Sequence, residues 1–220
     1  MIINFFTPDI PKRSIEERTA ILRKRNSTEP PTDNYKQYGF DYFDNPEMGI
    51  GYGGYKYDGR YKAAAEAMVK HYHLQKGDRI LEIGCAKGFI LVEFLKLGLE
   101  VYGIDASEYA TENAHPDVAQ SIQKGDAANL PFNDSYFALV FGKEVLPHID
   151  ERQVETVVRE CLRVSKGPVF FEIGCGSSEE GVALMNEWDH THKCTHTKDW
   201  WENLFQNLPQ ECDRHYKEMF

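Results

Sequence analysis

Apolar residues collect into short, nearly unbroken runs along the chain: Ile80 to Ile83, Val101 to Ile104, Tyr136 to Phe141 and Val169 to Ile173. Runs of this length predict strands buried on both faces, as in a parallel sheet. Amphipathic stretches lie between them. Residues 89–97 set Ile90, Leu91, Phe94 and Leu95 at helical spacing and stop at Gly98. Residues 151–167 place Val154, Val157, Val158, Cys161 and Leu162 on one helical face. Residues 61–73 offer Ala64, Ala67, Met68 and Tyr72 as a face, and SEYATENA (107–114) starts a short helix capped by Ser107 and cut off by Pro116. Strands alternating with helices predict an α/β fold: a doubly wound, mostly parallel sheet with helices on both faces.

The ends of the chain read less regularly. Residues 14–25 predict a first helix with Ser14 as cap and Glu17 three places on. NSTEPPTDN (26–34) reads as a loop. A brief third strand is expected around Ser121 to Gln123, a fourth over 135–145 and a fifth over 167–174. Ser177 to Glu180 show no apolar period and read as a loop. Thr197 is expected to cap a helix through Trp200, Trp201, Leu204 and Phe205, ending at Asn207 and Pro209. Residues 210–220 are left to supply a sixth strand.

The organising stretch is RILEIGCAKGFILVEFL, residues 79–95: strand, small-residue turn, helix start. Such a turn brings backbone N–H groups close to a polar or anionic ligand. Its pattern, Glu82-x-Gly84-x-Ala86-x-Gly88, resembles motif I of the class I S-adenosylmethionine (SAM) methyltransferases, with Ala86 where that family usually has its middle glycine. VYGID (101–105) ends a second strand in an acid, and GDAANLPF (125–132) puts Asp126 in a short loop, in the family's order. The resemblance covers roughly residues 60–175 and implies a Rossmann-like fold, its sheet one strand short at the C-terminal edge. It also implies SAM as cofactor, held by Glu82, Gly84, Cys85, Ala86, Gly88, Asp105, Ala106, Asp126, Ala127 and Lys143. Asp105 would hold the ribose hydroxyls and Asp126 would face the adenine amino group. The echo FEIGCG (171–176) lacks a following helix pattern and reads as a strand end.

Residues 35–61 hold seven tyrosines and a set of glycines. Polar aromatics on glycine hinges suit a lid over a pocket, or a static loop sealing the sheet edge. Similar segments precede motif I in some bacterial small-molecule methyltransferases. On the lid reading, Tyr55 and Arg60 touch the cofactor while Tyr52 and Tyr57 touch the acceptor. Residues 1–60 are thus read as a helix and lid segment, and 61–220 as the SAM-binding domain, within one compact unit.

Methyl transfer is an in-line displacement, and a base is needed only when the acceptor must lose a proton. EVLPHI (144–149) follows strand four on the binding edge and resembles a segment common in this class. Glu144 and His148 are its candidate catalytic residues, with His148 also readable as structural or, as in some relatives, metal-binding; no metal is expected. His190, His192, Cys194 and His196 alternate as on one face of an extended strand, open to substrate, structural or zinc roles. His192 and Trp200 join the substrate-contact set.

A net charge of −10 argues against a nucleic-acid partner. Five scattered cysteines without a C-x-x-C pair read as reduced thiols of a cytoplasmic protein. No apolar run approaches a membrane span. The function expected is methylation of an oxygen or nitrogen on a small polar metabolite, with a lean by resemblance toward sugars or glycan precursors. A protein or peptide methyltransferase and a non-catalytic SAM-binding regulator are the alternatives.

Overall fold

A computed structural model describes residues 1–6, 14, 16–17, 19–20, 31–48, 50–208 and 210–220. Six strands form one sheet: β1 (Arg79–Ile83), β2 (Glu100–Asp105), β3 (Ile122–Lys124), β4 (Leu139–Lys143), β5 (Val169–Cys175) and β6 (Asp213–Glu218). Their order is β3-β2-β1-β4-β5-β6, with every neighbouring pair parallel. The order reverses between β1 and β4, which opens a crevice at their carboxyl ends.

Alternation along the strands divides the core in two. Ile80, Val101, Leu139 and Phe141 face α3 (Lys62–His71) and α4 (Phe89–Lys96), whose Ala65, Met68, Leu91 and Phe94 are buried. Leu81, Ile83, Ile104 and Val140 face α6 (Glu151–Val164) and α8 (Lys198–Gln206) through Val154, Val158, Trp201 and Phe205. In α3 the buried face is Ala64, Ala65 and Met68; Ala67, expected on it, is exposed. The short α5 (Glu108–Glu112) is capped by Ser107 Oγ, which accepts from Ala110 N at 2.9 Å.

Two expectations are revised. Residues Asp33–Lys36 and Phe40–Phe43 form short helices, α1 and α2, inside the segment read as loop and lid. A helix also follows β5: α7 (Glu179–Trp188) begins at Ser178, whose hydroxyl accepts from Gly181 N, with two glutamates in its first turn. It buries only Gly181 and Met185, too thin a stripe to show as a period. Ser14 and Glu17 exchange the reciprocal bonds of a capping box at 2.7 and 3.1 Å. Most of the expected helix over 14–25, the loop residues 26–30 and Pro209 lie outside the described residues. At the other edge, Ile3 N donates to Arg214 O, so the first residues run beside β6 and bury Phe5 and Phe6.

Candidate functional site

A cavity of about 690 Å³ opens at the carboxyl ends of β1, β2 and β4. Its floor is the turn after β1. Gly84 and Gly88 have φ of 65° and 75°, the left-handed region open to glycine. Ala86 sits there too, at φ 48°, a conformation that costs a residue with a Cβ about 1–2 kcal/mol. Its methyl is buried with Tyr35, Tyr42, Phe43, Ile50 and Ala110, which offsets part of that cost. Ala86 N donates to Asp105 Oδ2 at 2.7 Å and Ser107 N to Oδ1 at 2.8 Å, so the turn and the end of β2 fix this carboxylate at the cavity wall. Burial raises the Asp105 pKa, and the two N–H groups counter it.

The tyrosine-rich segment roofs this floor. Tyr38, Tyr42, Phe43, Gly51 and Tyr52 line the cavity. Three ties hold the segment down. Lys87 Nζ contacts Asp44 Oδ2 at 2.5 Å and Tyr109 OH donates to the same oxygen at 2.6 Å. Ser107 Oγ donates to Tyr38 O at 2.6 Å. Tyr35 OH and Tyr42 OH each reach Asp189 at 3.2 Å.

At the end of β4 the charges pair off. Glu144, at φ 53°, accepts from Lys143 at 2.8 Å and Lys217 at 2.7 Å. Lys143 also lies 3.3 Å from Glu172, whose other oxygen faces His215 at 3.2 Å. Burial alone would raise the Glu144 pKa, but the two ammonium groups hold it well below the usual carboxylate range. A carboxylate so stabilised is a poor proton acceptor. Glu144 therefore stands as an ion-pair anchor beside the cavity.

His148 lies one short turn later, in the 3₁₀ segment Leu146–His148 imposed by Pro147. Its ring lines the cavity, edge-on to Tyr38 at 5.9 Å and 4.8 Å from the His192 ring. His148 Nδ1 is 3.0 Å from Thr191 Oγ1, and His192 Nδ1 is 3.2 Å from Met185 O. Burial, and after it the nearby His148, push the His192 pKa down to about 4.

Residues 81–169 match the family model described as methyltransferase domain. Over that stretch the chain is similar to a methyltransferase domain. The 27-O-demethylrifamycin SV methyltransferase of Amycolatopsis mediterranei is 33% identical over 99 residues, 41% of this chain and 36% of that protein. Norajmaline N-methyltransferase of Rauvolfia serpentina is 32% identical over 99 residues, 41% and 33% of the two chains. The chain spans about half or less of the curated relatives it matches. A solved SAM-dependent methyltransferase from Archaeoglobus fulgidus shares the fold at a TM-score of 0.55, with 20% identity over 67% of this chain and 68% of that one.

The residues lining the cavity fit S-adenosylmethionine by their own chemistry. The cavity joins the small residues Gly84 and Ala86 of the turn to the fixed Asp105 carboxylate, and Ala106, Asp126 and Ala127 line it too. Glu82 is buried with Oε2 unpartnered among the described residues, and burial raises its pKa well above the usual range. Gly84, Ala86, Asp105, Ala106, Asp126, Ala127, Lys143, Glu144, His148, Tyr52 and His192 all line one cavity.

Other expected contacts fall outside the lining. Glu82, Cys85 and Gly88 do not line the cavity: the Glu82 side chain and the Cys85 thiol are buried, and a Cβ on Gly88 would meet Ile122 at 2.4 Å. Tyr55 packs on Phe89 at 4.6 Å. Tyr57 bonds Glu93 on α4, and Arg60 pairs with Asp58 at 2.5 Å. Trp200 stacks on His196 at 3.8 Å, away from the cavity. The alternating histidines share no strand face: His190 is exposed, His192 enters the cavity, and Cys194 and His196 turn toward Glu151. Two sets of potential metal ligands lie close among the described residues, His148–Asp189–His192 and Glu151–Cys194–His196. Phe6, Asp189 and Lys217 also line the cavity and carry no local sequence signal. No helix among the described residues is long and apolar enough to cross a membrane, and the five cysteines are free thiols.

Proposed function

We propose that the protein transfers the methyl group of SAM to an oxygen or nitrogen of a small polar metabolite. The observation that carries this is one cavity lined by Asp105 and Ala86 and also by His148, His192 and Asp189. SAM, when bound, supplies a sulfonium methyl. Asp105 would hold its ribose hydroxyls, Asp126 and Ala127 would flank the base, and the segment over the cavity would exclude water. His148 would receive the acceptor's proton where one must leave. The acceptor end is lined by phenols, imidazoles, lysines and carboxylates, which suits a polar acceptor. Two relatives carry names that specify small-molecule methylation, one of them at nitrogen. The sugar or glycan-precursor reading rests on resemblance alone.

The test is incubation with SAM and pools of small alcohols, phenols, sugars, amines and peptides, reading S-adenosylhomocysteine. Turnover with a small-molecule pool is expected. Turnover with peptides alone would assign a peptide methyltransferase. SAM binding by calorimetry without turnover in any pool would assign a non-catalytic binder.

A further inference from the structure

We propose that Asp189 and Thr191 form a positioning relay that keeps the His148 proton on Nδ1 and leaves Nε2 as the proton acceptor, so that this site takes a hydroxyl acceptor. The proposal rests on the methyltransferase reading above and names its acceptor class.

The argument is a proton inventory. Asp189 Oδ1 receives Thr191 N at 2.9 Å, Thr191 Oγ1 at 2.7 Å and Tyr35 OH at 3.2 Å, while Oδ2 receives Tyr42 OH at 3.2 Å. Four donors on one carboxylate mark it as ionised and acceptor-only. Burial opposes that charge, but His148 and His192, together with the Thr191 donors, keep the Asp189 pKa below its ordinary value. Thr191 therefore spends its single hydroxyl proton on Asp189. Toward His148 Nδ1, at 3.0 Å, the same oxygen can only accept. Nδ1 must carry the hydrogen, and in the neutral ring Nε2 then holds the lone pair. No hydrogen bond to Nε2 is formed among the described residues.

The groups facing the ring favour this arrangement. Tyr38 and Tyr42 meet it edge-on at 5.9 and 6.5 Å. Asp105 and Asp189 act on it by charge. His192 turns its Nδ1–H to the Met185 carbonyl and makes no hydrogen bond to His148 among the described residues. In the transfer, the acceptor oxygen forms the new O–C bond and the methyl's C–S bond breaks with its electron pair left on sulfur. The acceptor's proton ends on His148 Nε2. The imidazolium so formed sits one hydroxyl away from the Asp189 charge. A neutral amine attacks with its own lone pair and needs no such base, whereas a hydroxyl does.

Nitrogen NMR of histidine-labelled protein reads the tautomer without any ligand. With His148 assigned by a His148→Gln variant, Nδ1 should be protonated and Nε2 unprotonated in the wild type and in Thr191→Ser. Thr191→Val, nearly isosteric and checked for folding by circular dichroism, should lose that preference. A protonated Nε2 in the wild type, or no change in Thr191→Val, would overturn the relay. Stoichiometric binding of Zn²⁺ or Mn²⁺ by calorimetry, lost in His148→Ala and His192→Ala, would also overturn it and make the trio with Asp189 a metal site. With acceptor pools, Thr191→Val should lower kcat on hydroxyl compounds by roughly 10²-fold, and Thr191→Ser should restore it. Turnover of amines alone, indifferent to Thr191→Val, would overturn the acceptor assignment. Failure of the wild type to bind SAM would overturn the methyltransferase reading and leave the tautomer result standing.

Discussion

Lys87 of the glycine turn and Asp44 of the tyrosine-rich segment meet at 2.5 Å, with the lysine side chain 8% exposed and the aspartate 20%. The contact ties the cavity's roof to its floor. Burial raises the Asp44 pKa, but Lys87, Tyr109 OH and Tyr55 N together hold it below its ordinary value. A carboxyl lowered in the fold adds stability above its unfolded pKa, near 4, and loses it as pH falls through the folded value. Hydrogen exchange over residues 33–55 should therefore accelerate below about pH 4 ahead of the sheet. Asp44→Asn should speed it by tenfold or more at neutral pH. Unchanged exchange would mean the packing of Tyr35, Tyr42 and Phe43 holds the segment alone.

Asp105 should dominate cofactor affinity. Its oxygens are positioned by Ala86 N and Ser107 N, and each added hydroxyl bond to a carboxylate is worth ~1.5–3 kcal/mol. Asp105→Ala is expected to weaken SAM at least tenfold by calorimetry. A loss below threefold would place the ribose elsewhere.

Gly84 is constrained by Val145, which lines the same cavity. A Cβ there would stand 2.5 Å from Val145 Cγ2, at a φ of +65°. Gly84→Ala should cost about 2–5 kcal/mol in urea melts, the sum of left-handed strain and overpacking. Adding Val145→Ala should return the packing part alone. Full recovery would show that the backbone tolerates a side chain at Gly84.

Glu144 and His148, four residues apart, should fail in different ways. Glu144→Gln leaves Lys143 and Lys217 without their shared counter-charge, and should lower stability by about 3 kcal/mol, less if water reaches the 26% of the side chain that is exposed. His148→Ala should leave the melt nearly unchanged and SAM affinity intact while kcat falls by roughly 10²-fold. The reverse pattern would exchange their roles.

Local chemistry determined the frame. The apolar runs at 80–83, 101–104 and 169–173 have no polar face to show water, so they lie inside a parallel sheet. The turn at 84–88 and Asp105 belong to one strand–turn–helix–strand stretch, residues 79–105, and the structure places them together. Motif spacing reached Asp126 and Ala127 for the same reason. What lay beyond it is non-local. α7 buries two residues only, so its helix shows in no apolar period. Tyr52 meets the cavity while Tyr55, Tyr57 and Arg60 turn away, because Glu93 of α4 and Asp58 bind the last two. Lys217 reaches Glu144 across 73 residues and Thr191 reaches His148 across 43, distances over which no spacing rule carries information. The parallel packing of β6 on β5 and the return of the loop after α7 decided those meetings. Glu144 thereby became an ion-pair partner of Lys143 and Lys217, and His148 a neighbour of Thr191.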